Sequence, residues 1–471
     1  MGAGKMCIRG RRKKDMDMNW SGKKVLVVGC GISGIGSTEL LEKVGAKPIL
    51  FDENTKVDVE NVRGRFTEGT TAEIILGQLP KEVEENIEMV VLSPGVPSDT
   101  AFADSFRKRN IPVIGEIELA YLCGKGKVLA ITGTNGKTTT TALTGKIMQE
   151  YFASSYIVGN IGNPYTSAVL NMNEDTVTVA EISSFQLETT KEFHPAVSAI
   201  LNITPDHLDR HHTMENYVKT KQDITKKQTK EEVCVLNYED PYTEAFAKQC
   251  PAKVVYFSSA RKLEEGYFLE GDEIKYAWDG NETTLMNIHE MKLLGIHNVE
   301  NVMAAIAISE GFGVPREHIL QVVKNFTAVE HRIEYVTTIN DVDYYNDSKG
   351  TNTDAAIKAV QAMNRPTIVI GGGYDKDSTY DEWIESFGEK VRFLVLLGQT
   401  KEKIAACAKE HGFTNVILTD TLEEAVKVSY EKAGPGEAVL LSPACASWGM
   451  FPNYEVRGRM FKELVHQLKE S

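Results

Sequence analysis

Short apolar segments alternate with helix-compatible stretches along most of the chain. Residues 23–29 (KKVLVVG) form a continuous apolar run of the kind found in strands buried on both faces of a parallel sheet, and a helix-compatible stretch follows at 33–44. Further strands are predicted at 48–52, 88–92 and 111–114. A glycine-rich break at 121–127 (YLCGKGK) ends this series, and the alternation predicts an open α/β sheet.

The same alternation continues in two more segments. The second opens with a strand at 128–132 and contains a long apolar helix at 298–311, and the third starts near Val329. Their other strands are predicted at 176–180, 197–203, 233–236, 254–257, 342–345, 367–370, 393–397 and 438–441. The pattern therefore predicts three α/β domains, at 21–115, 116–328 and 329–471, after an extension at 1–20.

Length and composition agree with this division. At roughly 150 residues per domain, 471 residues correspond to about three domains. A hydrophobic content of 42% and a charged content of 25% exclude a disordered, collagenous or small disulfide-stapled chain. No apolar run is long enough to predict a membrane span. The net charge of −14 argues against general affinity for nucleic acids, so a polyanionic ligand must be held at a local site.

The cysteines and the basic N-terminal residues carry no predicted chemistry. The seven cysteines are scattered without a Cys-x-x-Cys pair, which favours reduced thiols over a zinc site or a disulfide framework. The extension at 1–20 is basic, but no apolar stretch follows it, so we predict a frayed segment rather than a secretory signal. These features favour a cytoplasmic location.

A GxGxxG sequence at 29–34 lies directly after the first strand. Glycines there let backbone N–H groups approach a diphosphate, and the dipole of the following helix favours its negative charge. Asp52 ends the second strand, near the position at which an acid binds a ribose hydroxyl. The pattern favours a dinucleotide site, but any nucleotide diphosphate satisfies the same physics, and a plain strand–helix turn uses the same glycines.

A second glycine loop, GTNGKT at 133–138, is more specific. In a P-loop the backbone amides surround phosphate oxygens, the lysine reaches the β- and γ-phosphates, and the next hydroxyl binds Mg²⁺. Lys137 and Thr138 fit these roles. The first glycine of the strict pattern would fall at Ile131, whereas this loop has Gly133.

Three other side chains have weaker local signals. Glu181 follows the strand at 176–180, where a P-loop protein holds its metal, although an acid there is more often a solvated loop residue. His207 follows another strand, at the end where open α/β sheets bind ligands, but a lone histidine is as often structural. Lys221 has the local pattern of a surface lysine.

In order and spacing, the motifs resemble those of the Mur ligases from about Lys23 to the C-terminus. They are GTNGKTTT (133–140), GNIGNP (159–164), EISSFQLE (181–188), NITPDHLDRH (202–211), HNVENVMAA (297–305), EHRIE (330–334) and NDSKGTN (346–352). SPGV at 93–96 and SPACASWGMF at 442–451 resemble the branch that adds D-glutamate to UDP-N-acetylmuramoyl-L-alanine. The sequence lacks the Asp-Asn-Pro-Arg motif of the branch that adds diaminopimelate or lysine.

The resemblance implies a Rossmann-like N-terminal domain for the UDP substrate, a central P-loop ATPase-like domain with a mainly parallel sheet, and a Rossmann-like C-terminal domain for the amino acid. It implies an ATP-dependent ligase of peptidoglycan precursor synthesis. The substrate carboxylate would attack the γ-phosphate of ATP, and the amine of D-glutamate would attack the acyl phosphate, because phosphate leaves more readily than hydroxide. We expect a monomer with these small-molecule partners and with neither nucleic acid nor membrane partners.

The catalytic and ATP-binding roles also come from the resemblance. Lys137 would stabilise the γ-phosphate, and Thr138 with Glu181 would hold one Mg²⁺. His207 would hold a second Mg²⁺, and Lys221 would carry a carbamate formed with CO₂ that binds magnesium. The remaining implied ATP-binding residues are Gly133, Thr134, Asn135, Gly136, Thr139, Asn298, Asn301, His331, Arg332 and Asp347.

The substrate-binding roles are implied in the same way. The UDP substrate would contact Ile32, Ser33, Asp52, Ser93, Gly95, Asn160, Ser183 and Gln186. D-Glutamate would contact Thr351, Lys376, Ser447 and Tyr454. Some relatives have an aspartate directly after the first two glycines of the GGGYDK region, whereas here Tyr374 precedes Asp375, which therefore has no assigned role.

Three other functions compete with this one. An NAD-dependent dehydrogenase would use the first loop but would leave Lys137, Glu181 and His207 unexplained. A P-loop switch would hydrolyse nucleotide slowly and independently of any UDP-sugar. A sister Mur ligase or a polyglutamate synthetase would keep the chemistry and change the substrates, and this is the main alternative.

Overall fold

The computed structural model describes residues 19–67, 69–160, 163–327, 329–375 and 378–469. Lys376, predicted to bind D-glutamate, and the basic extension through Met18 lie outside the described residues. The described chain divides into two compact units. The first extends to Ile288 and includes Glu300–Val323, and the second comprises His289–Val299 and the residues from Lys324 onward.

The first unit begins with a five-stranded parallel sheet in the order β3-β2-β1-β4-β5. The strands are β1 (Lys24–Val28), β2 (Lys47–Asp52), β3 (Glu73–Leu76), β4 (Met89–Leu92) and β5 (Val113–Gly115). The helices are α1 (Ile32–Lys43), α2 (Val59–Gly64), α3 (Lys81–Glu85), α4 (Ala101–Lys108) and α5 (Glu116–Cys123). The strand order reverses between β1 and β4, which is where open α/β sheets bind ligands.

A nine-stranded sheet follows in the order β14-β13-β12-β11-β10-β9-β6-β8-β7. Its strands are β6 (Lys127–Thr132), β7 (Ser155–Gly159), β8 (Val177–Glu181), β9 (Val197–Ile200), β10 (Val233–Asn237), β11 (Lys253–Ser258), β12 (Gly266–Glu270), β13 (Glu273–Trp278) and β14 (Asn281–Asn287). The helices are α6 (Lys137–Tyr151), α7 (Tyr165–Ala168), α8 (Ser184–Leu187), α9 (Leu208–His211), α10 (Met214–Gln222), α11 (Pro241–Ala247), α12 (Ile296–Phe312) and α13 (Arg316–Asn325). The strand pairs are parallel except for β12–β13 and β13–β14, which are antiparallel.

The second unit has a six-stranded sheet in the order β15-β16-β20-β17-β18-β19. Its strands are β15 (Glu334–Ile339), β16 (Val342–Asn346), β17 (Thr367–Gly371), β18 (Val391–Leu396), β19 (Val416–Leu418) and β20 (Ala438–Leu441), of which only β15 pairs antiparallel. The helices are α14 (Thr353–Ala362), α15 (Asp381–Glu385), α16 (Lys401–Glu410), α17 (Leu422–Lys432) and α18 (Tyr454–Gln467). Apolar side chains on both faces of this sheet are fully buried, as in a doubly covered parallel sheet.

The predicted α/β class and the mainly parallel central sheet are confirmed. The domain limits of 21–115, 116–328 and 329–471 stay a prediction. The pattern missed the edge strands β3, β7, β15 and β19 and the strands β13 and β14, because half-exposed strands lack a continuous apolar run. It also missed the buried strand β12, whose apolar run is only three residues long.

The described helices and cysteines bear on the expected absence of membrane spans and of disulfide bonds. None of the described helices combines the length and apolar character that a membrane span requires. The six described cysteines are free thiols, as the scattered spacing predicted.

Glu118 on α5 anchors the segment that follows α8. Its buried carboxylate accepts hydrogen bonds from the backbone N–H groups of Lys191, Glu192 and Phe193, at 2.9, 2.6 and 3.1 Å. Backbone donors that are shielded from water need such partners, and one side chain here satisfies three consecutive N–H groups, of which that of Phe193 is buried. Glu118 thereby links α5, which follows the last strand of the first sheet, to the residues that precede β9 in the second sheet.

We expect Glu118→Ala to lower the free energy of unfolding by about 2–4 kcal/mol, because it leaves the buried N–H group of Phe193 and two partly buried N–H groups without an acceptor. Glu118→Gln retains one carbonyl oxygen and should lose less. Urea unfolding followed by tryptophan fluorescence measures both variants. Wild-type stability of Glu118→Ala would show that the carboxylate does not anchor this segment.

Candidate active site

The loops after three adjacent strands of the second sheet meet at one edge. β6 lies between β8 and β9, with Ile131 paired to Glu181 and Thr132 paired to Ile200. Because these strands are parallel, their carboxyl ends share one edge of the sheet. The glycine loop after β6 therefore lies between Glu181 and the segment that begins at Leu201.

The glycine loop has the conformation that a phosphate-binding loop needs. Gly136 has a φ of +82°, and α6 begins at the next residue, so the N-terminal end of the helix faces the loop. A Cβ atom on Gly136 would lie 2.2 Å from Asn301 Oδ1, so only glycine fits without displacing Asn301. Thr138 and Thr139, in the first turn of α6, are buried.

Asn202 holds this loop in place, a role that the sequence did not reveal. Its Oδ1 accepts a hydrogen bond from Asn135 N at 2.8 Å, and its Nδ2 donates to Asn135 O at 3.2 Å. Its backbone oxygen accepts from Thr134 N at 2.9 Å. The predicted strand at 197–203 ends at Ile200, and the residues that follow support the loop instead of extending the strand.

Two lysines converge on one carbonyl oxygen of the loop. Lys137 Nζ donates to Gly133 O at 2.9 Å and to Thr134 O at 2.8 Å, and Lys221 Nζ donates to Gly133 O at 2.8 Å. Lys221 is only 2% exposed, so the prediction of a surface lysine from its local sequence is wrong. Its Nζ also lies 4.6 Å from the centre of the Tyr217 ring.

Burial and the positive charge of Lys137 lower the pKa of Lys221 well below the usual value for lysine. The negative charge of Asp206 opposes this shift. The side chain therefore spends a much larger fraction of its time as a neutral, nucleophilic amine than an exposed lysine does.

Glu181 is buried at the end of β8, with one carboxylate oxygen paired and one unpaired. Its Oε1 accepts a hydrogen bond from Asn160 Nδ2 at 2.8 Å. Its Oε2 is buried and has no hydrogen-bond partner among the described residues. An unpaired buried carboxylate oxygen is costly, and a bound cation would satisfy it. Glu181 and the Thr138 hydroxyl provide the oxygen ligands that Mg²⁺ prefers, so these residues fit the ion.

His207 lies on the same side of the sheet but is half-exposed. It adopts the left-handed conformation, with a φ of +52°, at the N-cap of α9. Its Nε2 lies 3.4 Å from Asp206 Oδ2, and its ring is 4.8 Å from the ring of Phe185. The predicted role of His207 as a metal ligand stays a prediction.

Arg210, one turn later, connects this edge to the loop after β4. Its guanidinium donates to Pro94 O at 2.9 Å and to Val96 O at 3.3 Å, and it forms a two-pronged ion pair with Glu188 at 2.8 and 3.2 Å. The same group lies 4.0 Å from the centre of the Phe185 ring. Sequence reasoning missed Arg210 and Glu188, although both lie inside quoted motifs.

The first glycine loop is shaped by contacts among the residues predicted to bind the UDP substrate. Asp52 accepts from Cys30 N and Asn54 N, both at 2.9 Å, so its carboxylate holds the loops after β1 and β2 together. Ser93 Oγ donates to Gly29 O at 3.3 Å. A Cβ atom on Gly34 would lie 1.8 Å from Gly29 O, which explains the glycine at that position.

The other residues predicted to bind the UDP substrate lie in or beside these loops. Ile32 begins α1 and is 65% exposed, Ser33 follows it, and Gly95 lies in the loop after β4. Ser183 and Gln186 form a capping box at the start of α8, with Gln186 Oε1 accepting from Ser183 N at 2.9 Å. Their structural role here is to cap the helix, and substrate contact stays a prediction.

In the second unit, the loops after β16, β20 and β17 meet at one edge in the same way. Asp347 follows β16 and is buried, with Oδ2 accepting from Ser442 Oγ at 2.8 Å and Oδ1 from Ile333 N at 3.3 Å. Burial raises the pKa of Asp347 to about 7, against the opposing effects of the Ser442 hydrogen bond and the Arg332 charge. Ser447, in the loop after β20, is also buried.

Arg457 on α18 joins two of these loops, and the sequence did not indicate it. Its guanidinium donates to Ser348 Oγ at 3.0 Å, Ser348 O at 2.8 Å and Cys445 O at 3.2 Å. Ser348 Oγ in turn donates to Tyr454 O at 2.8 Å. Burial lowers the pKa of Arg457 to about 10.

The remaining predicted residues of the two units are placed as follows. In the first unit, Asn301 is buried and its Oδ1 accepts from Thr140 Oγ1 at 3.3 Å. In the second unit, Asn298 Nδ2 donates to Leu294 O at 2.7 Å, the buried His331 ring lies 6.1 Å from the Tyr454 ring, and Thr351 is half-buried. Asp375 Oδ2 pairs with Lys403 Nζ at 3.0 Å, which gives it an ion-pair partner.

Three family models match the chain: Mur ligase MurD-like, N-terminal domain, over residues 23–115; Mur ligase middle domain, over 131–309; and Mur ligase, glutamate ligase domain, over 331–445. The UDP-N-acetylmuramoylalanine--D-glutamate ligase of Lachnoclostridium phytofermentans is 55% identical over 453 residues, covering 96% of this chain and 100% of that one. The enzyme of the same name from Lachnospira eligens is 56% identical over 451 residues, with the same coverage. The chain belongs to the Mur ligase family.

Solved Mur ligases share this fold. UDP-N-acetylmuramate-alanine ligase MurC from Thermotoga maritima superposes with a TM-score of 0.58 at 19% identity, covering 95% of this chain and 99% of that one. MurF ligase from Thermotoga maritima, solved in complex with ADP, gives a TM-score of 0.57 at 16% identity, covering 95% and 96%. The three-domain α/β architecture of Mur ligases is therefore the fold of this chain. The family is ATP-dependent, in agreement with the glycine loop of the second sheet.

We expect Gly136→Ala in this Mur ligase to weaken binding of an ATP analogue by roughly tenfold or more, equivalent to about 1.4 kcal/mol. The added methyl group strains a positive φ and displaces Asn301 from the loop. Isothermal titration calorimetry measures the affinity. Gly412→Ala is a matched control, because Gly412 has a φ of +78° and open space around it. Equal affinities for the two variants would contradict the assignment of the loop.

Proposed function

We propose that this Mur ligase joins D-glutamate to UDP-N-acetylmuramoyl-L-alanine in peptidoglycan precursor synthesis, with hydrolysis of ATP to ADP and phosphate. Relatives that carry this activity in their names match nearly the whole chain at 55% and 56% identity. The observation that carries the proposal is the convergence of Lys137 and Lys221 on Gly133 O, at the sheet edge where the adjacent strand ends in Glu181 with its unpaired oxygen. A dehydrogenase would have no use for this arrangement.

The reaction would proceed through an acyl phosphate. The substrate carboxylate attacks the γ-phosphorus, a new C–O–P link forms, and the bond to the β-phosphate oxygen breaks to release ADP. The neutral amine of D-glutamate then attacks the acyl carbon and an N–C bond forms, the C–O bond to phosphate breaks so that phosphate leaves with the electron pair, and the nitrogen loses a proton to solvent. Both attacks place negative charge on oxygens, which Lys137 in the glycine loop is positioned to stabilise.

Mg²⁺, held by Thr138 and Glu181, would offset the negative charge of the ATP phosphates. The neutral amine of Lys221 would attack CO₂, forming an N–C bond and releasing one proton to water. The product is a carbamate, which converts a buried cation into an anion with oxygen ligands suited to magnesium. The lowered pKa of Lys221 supports this step, because only the unprotonated amine is a nucleophile.

The second unit would bind D-glutamate at the edge where the loops after β16, β20 and β17 meet. Thr351 and Ser447 provide hydroxyl groups there, and Arg457 maintains the spacing of the loops. We infer a monomeric enzyme that acts in the cytoplasm, in agreement with the free thiols of the described cysteines.

We expect phosphate release from Mg-ATP to require both UDP-N-acetylmuramoyl-L-alanine and D-glutamate, with L-glutamate inactive. A coupled phosphate assay with each component omitted in turn measures this requirement. Turnover with a different amino acid would move the chain to a sister Mur ligase. Slow hydrolysis that ignores the UDP substrate would indicate a P-loop switch, and absence of substrate-dependent turnover would refute the ligase.

Lys221→Arg should lower kcat by on the order of a hundredfold or more, since a guanidinium stays protonated and cannot form the carbamate that would hold magnesium. Lys219→Arg, two residues earlier and exposed, is the matched control. Carbon-13 bicarbonate should give a carbamate NMR signal in the wild type and in Lys219→Arg, but not in Lys221→Arg.

The carbamate should also be lost as the pH falls through the lowered pKa of Lys221, because a protonated amine does not attack CO₂. A full carbamate signal in Lys221→Arg would place the modification elsewhere. Unchanged activity after rigorous removal of CO₂ would show that catalysis does not need it.

A further inference from the structure

Two helices of the second unit present pairs of metal-binding side chains to each other. Asp381 and Glu385 lie four residues apart on α15, and Cys407 and His411 lie four residues apart on α16 and its C-cap. Residues four apart share one face of a helix, so each pair projects in one direction. None of the four has a role in the proposed ligase reaction.

The donor atoms of these side chains are close together. His411 Nε2 lies 3.0 Å from Asp381 Oδ1, and His411 Nδ1 lies 3.5 Å from Glu385 Oε1. One donor atom each from Asp381, Cys407 and His411 lies within 4.8 Å of the others. Two ligands of one tetrahedral zinc ion are about 3.3–3.8 Å apart, given metal–ligand distances near 2.0–2.3 Å. Because Asp381 and His411 are partly exposed, small side-chain rotations would bring the three atoms to that spacing.

We propose that Asp381, Cys407 and His411 bind a divalent transition-metal ion, of which Zn²⁺ fits the donor set best. A thiolate, an imidazole and a carboxylate suit zinc, whereas magnesium and calcium prefer oxygen ligands alone. Three protein ligands leave the fourth tetrahedral position to water. This site would differ in its ligand atoms from the proposed magnesium site of the glycine loop, and the proposal does not depend on the proposed ligase activity.

Glu385 would act as a positioning residue. Zinc bound at Nε2 of His411 leaves the Nδ1–H group to donate to a carboxylate, and Glu385 Oε1 lies on that side of the ring. This arrangement sets the tautomer and the orientation of the imidazole.

An ordinary ion pair does not account for the whole cluster. A protonated His411 between Asp381 and Glu385 would satisfy the two carboxylates, while the Cys407 thiol, which is not part of that ion pair, makes a hydrogen bond to Asp381 and so faces the same point. The negative charges of Asp381, Glu385 and Glu410 all act on that thiol, so the surroundings favour a cation over a bare thiolate. A metal ion would neutralise these charges and join α15 to α16.

Titration of the tag-free, full-length protein with Co²⁺ in magnesium-free buffer tests the site. We expect one equivalent to produce a thiolate-to-cobalt charge-transfer band with tetrahedral d–d absorption, and Zn²⁺ to remove both. Cys407→Ser and His411→Asn should lose the band, whereas Cys123→Ser, at another half-buried cysteine, should retain it. Glu385→Gln should retain the band but weaken the cobalt affinity by roughly 10–100-fold.

A second readout is the effect of Zn²⁺ on the thermal unfolding midpoint, which should rise in the wild type and not in Cys407→Ser. Circular dichroism checks that each variant is folded. Cobalt binding without a thiolate band, or a band that survives in Cys407→Ser, would overturn the proposal. An equal zinc-induced shift in Cys407→Ser and the wild type would do the same.

Discussion

The carbonyl oxygen of Gly133 is the point around which the first unit's chemistry is organised. It accepts hydrogen bonds from two lysine side chains, one from the start of α6 and one from α10, and it lies in a loop that Asn202 holds from the neighbouring strand end. Two ammonium groups that share one acceptor repel each other, and burial adds to the cost of charging the second. As a result the pKa of Lys221 is lowered, and the side chain is a neutral, reactive amine more often than an exposed lysine is.

The geometry of parallel sheets places candidate binding residues at one edge of each of the three sheets. In a parallel sheet the carboxyl ends of adjacent strands share an edge, so loops distant in sequence meet there. Asp52 and Ser93 meet the first glycine loop in this way, and Ser442 meets Asp347 in the second unit. Each loop is held by side chains from its neighbours, so that its backbone groups are positioned before any ligand arrives.

Sequence reasoning predicted the elements with continuous apolar runs and the residues inside glycine motifs. Lys137 and Glu181 could be identified because a loop of this type and an acid after a neighbouring strand have recognisable spacings. Arg210, Asn202 and Arg457 could not, because their importance depends on which loops the fold brings together. Lys221 shows the limit most clearly. Its burial follows from the packing of α10 against the glycine loop, and no local pattern distinguishes it from the exposed Lys219.

Net charge and local charge act on different scales in this protein. The chain carries a net charge of −14, yet the proposed ligands are polyanions, so long-range attraction does not bring them to the site. We infer that binding depends on short-range groups, namely the N-terminus of α6 and the Lys137 ammonium group, to which a magnesium ion at Glu181 would add its charge. A carbamate on Lys221 would add a negative charge and oxygen ligands for a magnesium ion beside this small set of groups. The proposed modification would therefore exchange a buried amine for an anionic metal ligand, and its net contribution of positive charge would be present only when the ion is bound.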